Sequence, residues 1–147
     1  MATTDGKSVF VDTNVLVYAN NKESNLCEAA REKIESLTRN GNSLFISEQV
    51  LREYLVVMTR PGIIEKPISL GSATEDAIRM MKEFTLLFPN QNSLDKLMEL
   101  ILKYEVKGKR IHDAAIVSLM QANGIADIVT HNIDDFKSFQ EINIQSI

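Results

Sequence analysis

Acidic side chains occupy three places in this sequence where a carboxylate is costly unless it has a function. Asp12 directly follows an apolar run at residues 9–11, and Glu53 and Asp113 each fall on the apolar face of a predicted helix. Apolar side chains that recur three, four and seven positions apart share one face of a helix. Glu53 and Asp113 are therefore expected to point toward the core or toward the edge of a sheet.

Each acid also has a structural explanation. Asp12 could cap the helix that follows it. Glu53 could form an ion pair with Arg52 or Arg60, and Asp113 could stabilise the start of its helix through the helix dipole. Together these explanations weaken, because burying one unpaired carboxylate costs several kcal/mol and burying several together adds mutual repulsion. Either basic side chains or divalent cations must neutralise the group.

The metal chemistry that suits these side chains is that of a hard ion. An oxygen-only donor set favours Mg²⁺ or Mn²⁺ over zinc. The chain has two histidines, and we interpret His112 as a contact at a helix start or loop rather than a ligand. The single cysteine, Cys27, excludes an internal disulfide and a cysteine-based zinc site.

A further polar group follows the fourth predicted strand, in the segment Thr-His-Asn-Ile-Asp-Asp-Phe at residues 130–136. Asn132 could cap a short helix there, and Asp134 or Asp135 could be an acid of its first turn. The same segment could equally add a fourth acid to the site, so the pattern alone leaves both roles open.

The elements that must position these residues alternate along the chain. Short β-branched or aromatic runs predict strands at residues 8–12, 44–46, 85–88, 127–130 and 142–144. Helical patterns predict helices at residues 25–39, 49–59, 93–104 and 112–122, and another that starts at a capping box of Ser72 with Glu75 and ends near Phe84. Residues 61–71 predict a loop. The alternation predicts an α/β fold with a parallel sheet covered on both faces.

The bulk composition agrees with one globular domain. The chain has 147 residues, of which 44% are apolar and 24% charged, and no linker divides it. We expect one domain over residues 1–147 with residues 1–7 flexible. No apolar stretch approaches the roughly 20 residues of a membrane span, and the N-terminus does not resemble a secretory signal. These features predict a cytoplasmic protein without membrane contact.

The net charge of −4 bears on possible partners. Phosphate binding normally depends on a surplus of Lys and Arg, so the charge by itself argues against nucleic acid. Carboxylates that hold divalent cations would reverse this inference, because the cations then carry positive charge to the phosphate. Charge alone therefore does not exclude an RNA partner.

Together these residues resemble the PIN-domain family and, within it, the VapC-like toxin ribonucleases of type II toxin–antitoxin systems. The resemblance rests on four motifs in order: Val-Phe-Val-Asp-Thr-Asn at residues 9–14, the segment 46–53 ending in Glu53, His-Asp-Ala at 112–114, and Thr-x-Asn-x-x-Asp-Phe at 130–136. No single motif is specific, but four in the right order and spacing are. The resemblance spans roughly residues 8–144.

The resemblance implies a three-layer α/β/α domain with a central parallel sheet of about five strands. It implies that Asp12, Glu53 and Asp113 are catalytic metal ligands, with Asp135 as a fourth acid at the edge. It also implies supporting or phosphate-contacting roles for Thr13, Asn14, Ser47, Thr130 and Asn132. Lys109 and Arg110 are the best-placed cations for an RNA backbone, although a solvated loop explains them equally well.

The function implied by the resemblance is that of a Mg²⁺- or Mn²⁺-dependent endoribonuclease, with a homodimeric state and a small antitoxin that blocks the acidic pocket. One alternative is a catalytically silent PIN domain that acts as an RNA- or protein-binding module. Another is a haloacid-dehalogenase-like phosphatase, but that class needs a second Asp two residues after Asp12, where this chain has Asn14.

Overall fold

A computed structural model describes residues 6–147 and contains one five-stranded sheet. Its strands are β1 (Ser8–Val11), β2 (Ser43–Ser47), β3 (Thr85–Leu87), β4 (Asp127–Val129) and β5 (Asn143–Gln145). The strand order is β3-β2-β1-β4-β5, and every neighbouring pair is parallel. The predicted parallel sheet of five strands is confirmed.

The central strand β1 has the most apolar sequence of the five for a physical reason. Val9, Phe10 and Val11 are fully buried, because helices cover both faces of a parallel sheet and leave neither face to water. The segment before β1 is also held: the Lys7 backbone N–H donates to Asn42 Oδ1 at 3.0 Å. The expected flexibility of residues 1–7 falls mainly on residues 1–5, which lie outside the described residues.

Seven helices are described, and they pack in two groups. They are α1 (Thr13–Asn20), α2 (Cys27–Arg39), α3 (Glu48–Thr59), α4 (Leu70–Glu83), α5 (Gln91–Tyr104), α6 (Arg110–Ala122) and α7 (Ile133–Phe136). Helix α1 contacts α2 and α3, and α3 contacts α4, whereas α5 packs on α6. The chain moves outward from β1 to β3 and then returns to β4, so right-handed crossovers place the two groups on opposite faces.

The predicted start of α4 is wrong by about one turn. Ser69, not the pair of Ser72 and Glu75, caps the helix: the Ser69 hydroxyl accepts a hydrogen bond from the Ser72 N–H at 3.1 Å. The two serines stand three residues apart, and the sequence pattern selected the second of them. The predicted loop is correspondingly shorter and ends at Ser69.

The progression of the sheet reverses at β1, which has β2 on one side and β4 on the other. In open α/β sheets a crevice opens at such a reversal, outside the carboxyl ends of the strands, and this is where ligands bind. The segments that follow β1 and β4 are therefore the ones expected to carry the site. In the described part of the chain no helix combines the length and apolarity that a membrane crossing requires.

Candidate active site

Asp12 lies at the carboxyl end of β1 and is 7% exposed. Its Oδ1 accepts a hydrogen bond from the Thr13 N–H at 2.8 Å, which makes Asp12 the N-cap of α1. Its Oδ2 accepts from the Thr130 hydroxyl at 2.8 Å and from the Asn14 amide at 3.2 Å. The capping role is thus confirmed, but it uses only one of the two carboxylate oxygens. The other is held by Thr130, which directly follows β4, and by Asn14 of α1.

The surroundings of Asp12 disfavour its charged form. Burial raises the pKa of Asp12 to about 6. The hydrogen bonds from Thr130 and Thr13 act in the opposite direction, and the negative charges of Glu53 and Asp135 raise the pKa further. No lysine or arginine contributes to the balance. A carboxylate in this position therefore gains from any cation that enters the cleft.

Glu53 projects from α3 toward the same place. Its Oε2 accepts a hydrogen bond from the Thr13 hydroxyl at 2.8 Å, and its Oε1 accepts from the Gln49 amide at 2.8 Å. The alternative of an ion pair with a neighbouring arginine is wrong, because Arg52 pairs with Glu48 and no salt bridge within residues 6–147 involves Glu53. Thr13 links the two acids directly, since its N–H binds Asp12 and its hydroxyl binds Glu53.

Asp113 completes the buried part of the group from the first turn of α6. It is half-buried, and its pKa is raised to about 6 by burial first and then by the charges of Asp135 and Asp12. Arg110 acts in the opposite direction, and Glu53 adds a smaller upward contribution. The charges of Glu53 and Asp135 act on both Asp12 and Asp113, which places the four acids near one another, with Asp135 as the exposed member on α7.

One cleft contains all four acids. It has a volume of about 930 Å³, and the predicted residues that line it are Asp12, Thr13, Asn14, Glu53, Lys109, Asp113, Asn132 and Asp135. His112, predicted to be a contact at a helix start, also lines the cleft, while its carbonyl oxygen accepts from the Gln49 amide at 3.2 Å. The sequence therefore identified most of the cleft's polar wall.

Two predicted residues support the cleft from below without lining it. Ser47 is buried, and its hydroxyl accepts a hydrogen bond from the Val50 N–H at 3.2 Å, which caps α3. Thr130 is fully buried and accepts from the Asn132 N–H at 3.0 Å while it donates to Asp12. Both hydroxyls are buried and hold backbone N–H groups, so they support the cleft and do not line it.

Arg110 lies outside the cleft lining. Its guanidinium donates to the Ser138 hydroxyl at 2.9 Å and lies 5.9 Å from the centre of the Phe139 ring. These contacts turn the side chain toward the segment after α7. Of the two cations predicted near Asp113, only Lys109 lines the cleft.

The donor set fits an ion that keeps part of its water shell. Within residues 6–147 no three carboxylate, imidazole or thiolate groups converge closely enough to enclose a metal ion by themselves. Mg²⁺ is usually bound by only one or two carboxylates, with water and substrate phosphate completing its octahedron. Asp12 and Asp113 have raised pKa values and take part in no salt bridge within residues 6–147, so their oxygens are suited to such an ion.

Comparison with known proteins agrees with the fold and the cleft described above. Residues 9–142 match the PIN domain family, which is most of the chain. The chain belongs to the PIN domain family. Ribonuclease VapC24 of Mycobacterium tuberculosis is 24% identical over 131 residues, covering 88% of this chain and 89% of that protein. Ribonuclease VapC48 of the same organism is 27% identical over 141 residues, covering 91% and 93%.

Solved structures share this PIN fold. VapBC2 from Rickettsia felis, bound to a DNA fragment from its promoter, matches with a TM-score of 0.72 at 21% identity and covers 95% of this chain and 98% of that chain. VapC20 of Mycobacterium tuberculosis, a toxin that cleaves the sarcin-ricin loop, matches with a TM-score of 0.69 at 17% identity, covering 89% and 95%. At these identities the likeness concerns the fold.

Some residues of this PIN cleft escaped the sequence prediction. Gln49 orients Glu53, and its position four residues earlier on α3 was the available signal. Arg52 and Arg60 line the cleft on the α3 side, but from the sequence they were expected only as possible ion-pair partners of Glu53. Tyr18 also lines the cleft, one turn beyond Asn14 on α1, and nothing in a single sequence separates such a tyrosine from a core residue.

Proposed function

We propose that this protein is a Mg²⁺- or Mn²⁺-dependent endoribonuclease that hydrolyses RNA phosphodiester bonds as the toxin of a toxin–antitoxin pair. The observation that carries the proposal is the bridge from Asp12 through Thr13 to Glu53, with Asp113 and Asp135 in the same cleft and no basic side chain acting on Asp12. A fold stabilised only by packing gains nothing from such a group. A hydrolase that uses a metal ion, in contrast, needs such a group of acids to bind that ion.

The residues divide the catalytic work among them. Asp12, Glu53 and Asp113 would hold the ion, with Asp135 at the edge. When bound, Mg²⁺ or Mn²⁺ lowers the pKa of a coordinated water and stabilises the charge that develops on the phosphate. Thr13 keeps Glu53 fixed relative to Asp12 through its hydroxyl, so the ligands are oriented before the substrate arrives.

The remaining polar residues orient this group and its substrate. The Asn14 amide donates to Asp12 and to the Thr130 hydroxyl, both at 3.2 Å, while its Oδ1 accepts from the His131 N–H at 3.0 Å. These bonds fix the ends of β1 and β4 against each other. Lys109 faces the cleft and can contact the RNA backbone, which the net negative charge would otherwise repel.

The toxin role draws its support from the relatives. The matched proteins include ribonucleases of the VapC group and a VapBC2 complex on promoter DNA. By this likeness, a small antitoxin would block the cleft, with an arginine able to form charge-assisted hydrogen bonds to the carboxylates, and the toxin would be a homodimer. A short upstream reading frame with a DNA-binding start would support the pairing, and purification of both proteins as one complex would test it.

The test of catalysis is cleavage of a mixed RNA pool in Mn²⁺. We expect cleavage to require Mn²⁺, to stop with EDTA and to disappear in the variant Asp12→Asn. The variant Asp134→Asn is the control, because it removes an exposed acid of α7 that pairs with Lys137 and does not line the cleft. A protein that binds the pool but cuts no RNA in Mn²⁺ would instead be a binding module, and the proposal would be wrong.

A further inference from the structure

Tyr18 differs from the other tyrosines of the chain in what its hydroxyl does. The Tyr54 hydroxyl donates to Asp76 Oδ2 at 2.6 Å, and the Tyr104 hydroxyl donates to Glu141. Both of these rings are fixed to a carboxylate, and neither lines the cleft. The Tyr18 hydroxyl has no hydrogen-bond partner among residues 6–147, and its ring is half-buried at the cleft wall.

The position of Tyr18 places an aromatic ring beside the acidic group. Asn14, Val17 and Tyr18 share the face of α1 that lines the cleft, and the Asn14 amide already contacts Asp12. Four residues of α-helix advance about 6 Å along its axis. The ring therefore lies on the cleft wall one helical turn beyond Asn14, which contacts Asp12.

His131 fixes this ring in place. The Tyr18 and His131 rings meet edge to face, with centres 5.2 Å apart and planes at 87°. The His131 backbone N–H donates to Asn14 Oδ1 at 3.0 Å, so the segment after β4 and helix α1 are joined at this point. A ring braced in this way loses little conformational entropy when a flat ligand stacks on it.

The cleft has room and chemistry for a nucleobase next to the acids. Its volume of about 930 Å³ is far larger than a hydrated ion and one phosphate need. A nucleobase is uncharged at neutral pH, so it is not repelled by carboxylates as a phosphate is. Single-stranded RNA is commonly recognised through bases that stack on aromatic side chains.

We propose that Tyr18, braced by His131, forms a nucleobase subsite that stacks the base of a nucleotide adjoining the scissile phosphate. This inference rests on the proposed ribonuclease function and adds a recognition element to it. Stacking accepts any base, so the subsite positions the strand and does not by itself select a sequence.

A double-mutant cycle between protein and RNA tests the subsite. The substrate is a short RNA that carries a cleavage site mapped with the wild-type enzyme, made intact or with an abasic ribonucleotide on one or the other side of that site. The protein variants are Tyr18→Leu, which removes the aromatic ring but keeps an apolar side chain, and Tyr18→Phe, which keeps the ring. The quantity measured is kcat/KM in Mn²⁺.

The expected result is coupling between ring and base. In the wild type and in Tyr18→Phe, the abasic substitution on one side should lower kcat/KM about tenfold, within the range of a lost stacking contact. In Tyr18→Leu, the intact RNA should already be about tenfold slower, and the abasic substitution should cause no further loss. A purely structural role predicts equal abasic effects in all three proteins, and that result overturns the inference.

A measurement of RNA binding tests the subsite independently of catalysis. If the wild type cleaves nothing in Mn²⁺, the proposed function fails, and fluorescence anisotropy with Ca²⁺ still tests Tyr18 on a labelled short single-stranded RNA, intact or made abasic throughout. A preference for intact RNA that is lost in Tyr18→Leu and kept in Tyr18→Phe supports the subsite. Equal affinity for the two RNAs, or no binding of either, overturns it.

Discussion

Glu141 and Asp113 are both half-buried carboxylates, but the protein surrounds them with opposite kinds of neighbours. The Tyr104 hydroxyl and the Lys103 ammonium both bind Glu141, the latter at 3.1 Å. Burial alone would raise the pKa of Glu141, but these hydrogen bonds outweigh it and hold the pKa below its ordinary value. In the cleft, burial and neighbouring acids raise the pKa values of Asp12 and Asp113 to about 6.

The contrast separates the acids that the fold neutralises from the acids of the proposed active site. A carboxylate that stabilises the fold is supplied with its own donors and cation, as at Glu141 and at Asp76, which binds Tyr54 and Arg79. Asp12 and Glu53 accept hydrogen bonds only from uncharged groups, and no salt bridge within residues 6–147 involves a cleft acid, so their negative charge remains available to a ligand. Variants that remove one kind of acid and not the other are the most direct test of the proposed site.

The largest effect is expected for catalysis. Asp113→Asn should lower kcat/KM by about 10³-fold, because a preorganised charged group at the reacting phosphate is lost. Glu141→Gln changes a carboxylate of similar burial on another part of the surface and should leave kcat/KM within about twofold. The measurement is cleavage of one defined RNA in Mn²⁺. Equal losses in both variants would contradict the assignment of the cleft as the active site.

A smaller loss of activity is expected when the acids remain but the Thr13 hydroxyl that links Asp12 to Glu53 is removed. Thr13→Val deletes the hydroxyl that donates to Glu53 and should lower activity about 10- to 100-fold, as with other groups that orient metal ligands. The Mn²⁺ concentration for half-maximal activity should rise. Thr59→Val is the matched control, since the Thr59 hydroxyl binds only the Leu55 carbonyl on the same helix. An unchanged Mn²⁺ dependence in Thr13→Val would argue against the orienting role.

The two kinds of acid should also give stability opposite dependences on pH in EDTA. The folded pKa of Asp113, about 6, lies above its ordinary 3.8, so its favourable contribution is full below 3.8 and is lost as pH rises through 6. The lowered pKa of Glu141 contributes stability above its ordinary 4.5, which is lost as pH falls through the folded value.

Chemical denaturation of variants measures this difference. At pH 7.5, Asp113→Asn should be more stable than the wild type by about 1 to 2 kcal/mol, since the full shift is discounted for the partial exposure of the side chain. The advantage should shrink toward pH 4. Glu141→Gln should be less stable than the wild type at pH 7.5. A destabilised Asp113→Asn at that pH would mean that the carboxylate is neutralised within the fold.

The smallest effect concerns the donor rather than the acid. Tyr104→Phe removes the hydroxyl that binds Glu141 and also accepts from the Gln140 N–H at 3.1 Å. The free energy of unfolding at pH 7.5 should fall by about 0.5 to 1 kcal/mol, as expected for a partly exposed hydrogen bond. RNA cleavage should be unchanged. A catalytic defect in this variant would mean that the surroundings of Glu141 also affect catalysis, which would contradict the contrast between Glu141 and the cleft acids.

Much of the fold follows from the sequence because its signals are periodic and strong. The apolar runs predicted all five strands, and their alternation with helical patterns predicted a parallel sheet. Helix ends were less accurate because caps depend on which of several neighbouring polar residues the backbone selects. Ser69 and Asn90 are such cases: both cap helices that the sequence placed two or three residues later.

The polar wall of the cleft could be predicted in part. Glu53 and Asp113 stood out because helical spacing puts each on an apolar face. The direction of a long side chain could not be predicted in this way, because it depends on partners distant in sequence. Arg110, for example, turns away from the cleft to Ser138. Tyr18 gave no signal, because an apolar face containing a tyrosine is normal for a core helix.

The pairing of β4 with β1 bears on how the protein is made. Asp12 and the Thr130 hydroxyl that holds it are 118 residues apart in the chain. A ribosome must synthesise nearly the whole domain before they can meet, and α6, which carries Asp113, also comes late. Domains generally fold as units during synthesis, so a chain that has not yet released residue 130 lacks the hydroxyl that holds Asp12. The acidic cleft is therefore complete only after the segment that carries Thr130 has left the ribosome.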